Sequence, residues 1–168
     1  MSAPLPADRA RASVLVAAAP DEAFRIFTEE IDRWWRHGLR YRVGVGRSVV
    51  ALEPKVGGRL LESIESAAGI TVIETGRVRH WEPPRRLVFS WRAGNFAPDE
   101  STEVEVVFAP SASGTTVTVI HRGWAALRPD HPVRHGADLV GFIGAMGMWW
   151  GDLLSSLREC AAKSRSAP

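Results

Sequence analysis

The chain has one cysteine, Cys160, in 168 residues, which excludes an intrachain disulfide and any site built on paired thiolates. A reducing, cytoplasmic setting is the expectation. It also lacks an excess of either charge. The 21 Lys and Arg against 19 Asp and Glu leave a formal net charge of +2, interspersed rather than gathered in a tail, so no nucleic-acid partner is expected. No apolar run approaches the roughly 18 residues of a membrane span, and the N-terminus, MSAPLPADRARA, has no apolar core of signal-peptide length. No membrane partner is expected. A Gly-x-Ser-x-Gly elbow, a phosphate-binding loop and a Cys-His pair at a recognised spacing are all missing, which removes the commonest nucleophilic and nucleotide-binding chemistries.

Against a single tyrosine, Tyr41, stand seven tryptophans: Trp34, Trp35, Trp81, Trp91, Trp124, Trp149 and Trp150. Such rings suit deep cores and pocket walls alike. A chain of this length with 45% hydrophobic residues fits one domain. Residues 11–162 carry the periodic patterns, while 1–10 and 163–168 read as flexible ends.

From Gly76 to Trp124, runs of β-branched and aromatic residues are broken by turn signals at Glu82-Pro-Pro-Arg-Arg and Ser111-Ala-Ser-Gly, the pattern of an antiparallel meander. Alternation places Val104, Val106 and Phe108 on one face with Val117, Val119 and His121, and Glu103, Glu105, Thr116, Thr118 and Arg122 on the other. One face is wet and the other needs a cover. Upstream, Arg11–Ala18 reads as a strand, Pro20-Asp21-Glu22 opens a helix, and Glu30–Arg36 forms a second short helical piece. Strands are expected at Val49–Leu52, Arg59–Ile64 and Ile70–Trp81, for about seven in all.

From Asp138 the period changes. Leu139, Phe142, Ile143, Met146, Trp149, Trp150, Leu153, Leu154 and Leu157 recur at three- and four-residue spacing, one broad stripe of a long helix that supplies the cover. Glycines at 141, 144, 147 and 151 each cost that helix about 1 kcal/mol relative to Ala. Close packing on the sheet is the favoured offset, with contact to another chain or room for a ligand as the alternatives, and a homodimer stays open.

Several motifs resemble the START-like (SRPBCC) superfamily, and within it relatives of the C-terminal domain of the heat-shock-protein ATPase activator. They are Ala19-Pro-Asp-Glu-Ala-Phe24 with Phe27, Trp34-Trp35, Pro54-Lys-Val-Gly-Gly-Arg59, Gly76-Arg-Val with Trp81-Glu-Pro-Pro-Arg-Arg-Leu-Val-Phe-Ser-Trp91, and Gly114-Thr-Thr-Val-Thr-Val with His121-Arg-Gly. The resemblance covers roughly Arg11 to Ala162 and implies an α+β helix-grip fold. In that fold a seven-stranded curved antiparallel sheet wraps a long C-terminal helix, with two short helices after the first strand and a mostly apolar cavity between sheet and helix. It also implies binding of a hydrophobic small molecule. A few superfamily members are cyclases, aromatases or hydrolases. The family name carries a chaperone and stress-response association, but a chaperone contact is not expected of this domain alone.

The covered faces give the candidate ligand contacts: Trp34 from the second helix, Val78, His80, Phe89, Trp91, Val104, Val106 and His121 from the sheet, and Phe142, Met146, Trp149 and Trp150 from the last helix. His121 is either a cavity-facing acid or base or a core histidine tied to Thr102 or a backbone carbonyl. With His80 it is the candidate catalytic group. His131 and His135 are four apart, but Pro132 resists the helix a metal pair would need, so neither metal nor cofactor is expected. Trp34, Trp35, Arg36, Arg40, Tyr41, Arg42 and Arg47 combine rings with positive charge, which suits an anionic ligand head at the cavity mouth or a solvated loop. Glu103 and Glu105 lie on the wet face and do not form a hydrolytic pair. Three functions follow: binding of a hydrophobic or aromatic small molecule, a cyclase- or hydrolase-like enzyme using His121, and a chaperone-activator-like interaction module.

Overall fold

The period-two runs become strands and the period-3.6 stripe a helix in a computed structural model that describes residues 8–166. The elements are β1 (Arg9–Val16), α1 (Pro20–Glu29), α2 (Ile31–Trp34), β2 (Ser48–Leu52), β3 (Arg59–Ser66), β4 (Gly69–Glu82), β5 (Arg86–Trp91), β6 (Thr102–Ser111), β7 (Gly114–Arg122) and α3 (Leu139–Ser166), with short 3₁₀ turns at Trp124–Ala126 and Pro132–Arg134. All seven strands form one curled antiparallel sheet in the order β1-β7-β6-β5-β4-β3-β2. This is the helix-grip arrangement expected from the resemblance. β1 starts at Arg9 and α3 continues to Ser166, beyond the boundaries at 11 and 162; the remaining ends, 1–7 and 167–168, lie outside the described residues.

The meander has the register its alternation demands. Val104 stands opposite His121, Val106 opposite Val119 and Phe108 opposite Val117, and all six are at most 2% exposed. On the other face Arg122 holds Glu103 at 2.6 Å and Glu105 at 3.0 Å, while Arg86 holds Glu105 at 2.6 Å and Glu82 at 2.8 Å. The cover is shared. α1, begun by Pro20 with Asp21 and Glu22 in its first turn, buries Ala23, Phe24, Ile26 and Phe27. The rings of Phe24 and Phe27 lie 5.0 and 5.6 Å from that of Phe108. α3 adds Trp150, Leu153, Leu154 and Leu157, each 1% exposed or less, to the same core.

Of the four helix glycines, Gly147 alone packs against the sheet, at β1. A Cβ on Gly144 or Gly151 would meet nothing within 4 Å, one on Gly147 would meet only the Arg11 carbonyl at 3.6 Å, and one on Gly141 only the Asp138 carboxylate at 3.0 Å and the Ala137 side chain at 4.0 Å. The apolar stripe turns toward the sheet with Gly147 beside β1, and Gly141, Gly144 and Gly151 fall away from it.

Candidate functional site

His121, one residue before the end of β7, is on the covered face and fully buried. The Trp150 indole N–H donates to its Nδ1 at 3.1 Å, and its Nε2 lies 2.7 Å from the Thr102 hydroxyl. An indole can only donate, so Nδ1 is the acceptor and the ring proton resides on Nε2, which donates to Thr102 Oγ1. The hydroxyl in turn donates to the Trp91 carbonyl at 3.3 Å. Burial pushes the imidazole pKa down to about 3, so the ring stays neutral. Of the two readings open in the sequence, the geometry is that of the core histidine tied to Thr102. His121 is not among the residues lining the cavity.

His80 is exposed on the opposite face. A register shift in β4 pairs Val78 with Phe89 but His80 with Val88, so one extra residue reverses the alternation. Trp81 turns inward in its place, edge-on to Phe24 at 5.1 Å.

The cavity, about 740 Å³, opens between the N-terminal half of α3, the loop after α2 and the strands β2 to β4. Its wall is aromatic. The Trp35 and Trp91 rings stack with centroids 6.1 Å apart and planes 26° apart, and Trp149 meets them edge-on at 5.9 and 5.8 Å. Tyr41 stacks on Trp149 at 5.7 Å. Phe142 and Met146 line the α3 side, and Val50, Leu60, Leu61 and Ile73 the sheet side.

Of the sequence-derived contacts, Trp91, Phe142, Met146 and Trp149 lie at this cavity. Trp34, Val78, Phe89, Val104, Val106 and Trp150 are packed into the core behind it, none more than 2% exposed. The reason is volume: α1 and the leucines of α3 fill the concave face over β6 and β7, which displaces the open space toward β2–β4. Trp34 faces the core, its indole donating to the Phe27 carbonyl at 3.2 Å. Trp35, its neighbour, is the ring that reaches the cavity. α2 ends at Trp34, and the extended backbone of Trp35 (φ −69°, ψ 118°) turns its side chain away, held by an indole bond to the Tyr41 carbonyl at 3.0 Å. The double tryptophan was the available signal for Trp35. Tyr41, Arg40 and Arg42 come from the run of rings and arginines that the sequence offers for a cavity mouth, whereas nothing in the local pattern marks Trp124 or Arg134, which reach the cavity from irregular segments.

Four arginines line the cavity, Arg40, Arg42, Arg92 and Arg134, against one acid, Glu62. Each Glu62 oxygen accepts one backbone N–H, from Val43 at 2.9 Å and from Gly44 at 2.6 Å. Of the cationic loop residues, Arg36 donates to the Asp152 carbonyl and the Ser156 hydroxyl, Arg47 lies 3.7 Å from Glu65, and Arg42 is buried beside Asp32 at 2.8 Å. Arg40 is exposed at the mouth, 4.0 Å from Asp152. His131 and His135 occupy different environments: His131 is buried, its Nδ1 accepting from Val133 N–H and its Nε2 3.0 Å from Glu100, whereas His135 is exposed. Cys160 is buried on α3, and burial raises its thiol pKa. No helix among the described residues is long and apolar enough to cross a membrane.

Residues 17–141 match the family model described as Activator of Hsp90 ATPase homolog 1-like protein. Among solved structures, the anthrahydroquino-gamma-pyrone synthase Txn09 is similar over 92% of this chain and 99% of its own, with 30% identity and a TM-score of 0.56. A Staphylococcus aureus protein of unknown function, SA2116, matches over 95% of this chain and 96% of its own, with 14% identity and a TM-score of 0.67. DynU16, a putative protein of the dynemicin biosynthetic locus, matches over 90% of this chain and 46% of its own, at 21% identity and a TM-score of 0.58. The last two show likeness of fold. No curated protein gives a significant match.

Proposed function

The chain belongs to the Activator of Hsp90 ATPase homolog 1-like family, and on that footing we propose that it binds a planar, polycyclic aromatic small molecule in the cavity between the sheet and α3. The observation that carries this reading is the wall made by Trp35, Trp91, Trp149 and Tyr41. Four rings, stacked and edge-on within about one ring's reach of each other, border a space of about 740 Å³, within the range of small-molecule pockets. Flat ligands gain from such walls through offset stacking and edge contacts, while the aliphatic side chains of Leu60, Leu61 and Met146 supply non-directional burial.

A second reading, ring closure of a bound aromatic precursor, is favoured by the 30% identity to Txn09. In this chain such chemistry would not use His121 as a proton shuttle, because a neutral imidazole bonded at both nitrogens and sealed from the cavity has no lone pair or proton to offer a ligand. The protein's contribution would be to hold the precursor folded against the aromatic wall with water excluded.

The test is a titration of the neutral tricyclic probe 2-methylanthraquinone, followed by tryptophan emission. Saturable one-to-one quenching is expected. Trp91→Ala should weaken it by up to about tenfold, the worth of one aromatic pair. Absence of saturation in the wild type would refute the binding reading.

A further inference from the structure

Arg134 is a buried cation in the cavity wall with no counter-charge. It ends the 3₁₀ turn Pro132–Arg134 and is 6% exposed. Only Nη2 is engaged, donating to the carbonyls of Trp124 at 3.1 Å and Leu127 at 3.0 Å. A guanidinium carries five N–H donors, so the three on Nε and Nη1 have no hydrogen-bond partner among the described residues, and no carboxylate among them lies within 4.0 Å.

Arg42, in the same cavity wall and 3% exposed, shows the contrast. Its Nε donates to the Arg36 carbonyl, its Nη1 to Asp32 Oδ1 and the Ser48 carbonyl, and its Nη2 to the Asp32 and Trp35 carbonyls. All five donors and the charge are satisfied. Arg42 is therefore a structural cation, and Arg134 is not fully accounted for by the structure around it. The free Arg134 nitrogens are not sealed off by protein, so they open onto the cavity, where an anion would supply the missing counter-charge. A second donor without a partner lies in the same wall: the Trp124 indole N–H is buried and unbonded. Of the two remaining lining arginines, Arg92 already spends Nε on the Glu100 carbonyl and Nη2 on that of Ala97, and Arg40 is exposed to solvent at the mouth, 4.0 Å from Asp152. The lining acid, Glu62, is committed to backbone N–H groups.

We propose that Arg134 is the anion-binding residue of the cavity and that the ligand is an aromatic carboxylic acid, its rings against Trp35, Trp91 and Trp149 and its carboxylate on the Arg134 guanidinium. This rests on the aromatic-binding reading and specifies the ligand's charge. With Nη2 held by the two carbonyls, the free N–H groups on Nη1 and Nε are left to donate charge-assisted hydrogen bonds to a carboxylate oxygen, and the low-dielectric surroundings strengthen the pair.

Isothermal titration with matched probes tests it: anthraquinone-2-carboxylate and its neutral counterpart 2-methylanthraquinone, against wild type, Arg134→Met and Arg134→Lys. The wild type should prefer the carboxylate by about tenfold or more, the worth of one charge-assisted contact. Arg134→Met should erase that preference, bringing the ratio of the two affinities to about one, and Arg134→Lys should keep part of it, because the charge remains with fewer donors. Equal wild-type affinity for the two probes overturns the proposal while the aromatic-binding reading stands. A preference that survives in Arg134→Met also overturns it, and binding of neither probe refutes both. If Arg134→Met does not fold, because the Trp124 and Leu127 carbonyls lose their donor, the wild-type ratio and the Arg134→Lys variant decide.

Discussion

An imidazole fixed between an indole N–H and a threonine hydroxyl has a measurable thermodynamic signature. The His121 pKa falls from 6.5 to about 3 on folding, through burial, so the unfolded chain takes up a proton over that interval and the folded one does not. The His121 contribution to stability is therefore complete above pH 6.5 and is lost progressively as pH falls toward 3. Between pH 7.5 and 4.5 the loss amounts to about 3 kcal/mol. Urea unfolding of wild type and His121→Gln at the two pH values checks this: the variant should be less stable at pH 7.5 but lose markedly less on acidification. Parallel slopes would mean that the imidazole titrates normally. The place of His121 was legible from alternation alone, and Thr102 was nameable as its partner because the two strands are adjacent. Trp150 was not, since it reaches His121 across 29 positions by a helix-to-sheet docking that no local pattern encodes. His80 shows the opposite failure. Strict alternation turns it inward, and one extra residue in β4 turns it out.

At the scale of elements, two glycines should respond in opposite directions. A Cβ on Gly76 would come 1.8 Å from the Ser90 carbonyl oxygen, so Gly76→Ala must push β4 off β5 and should destabilise by roughly 1–3 kcal/mol. Gly144 is exposed in the interior of α3 with nothing within 4 Å, and Gly144→Ala should stabilise by roughly 0.5–1 kcal/mol through helix propensity. Thermal denaturation monitored by circular dichroism reads both. A destabilised Gly144→Ala would mean that this face of α3 is covered by something. The strands and helices were legible because each is a long periodic run with clear turn signals. What periodicity left unsettled was which side of α3 the glycines occupy, since a broad apolar stripe and an interleaved set of small residues each satisfy the same helical spacing.

For the whole molecule, the motifs spread from Ala19 to Gly123 identified the architecture, and the strand order and helical cover agree with it. The position of the cavity was less accessible, because it depends on how much of the concave face α1 and the α3 leucines fill. That filling sends Val104, Val106 and Phe89 into the core and leaves the space to residues from loops and 3₁₀ turns, whose sequence has no period to read. Binding of an aromatic ligand against the Trp35, Trp91 and Trp149 wall can be read from the indole signals in a ¹H–¹⁵N correlation spectrum during titration with 2-methylanthraquinone. Saturable shifts of the Trp35, Trp91 and Trp149 indoles are expected, with Trp81, packed on Phe24 away from the cavity lining, unmoved. Shifts confined to Trp81, or none at saturating probe, would refute that binding.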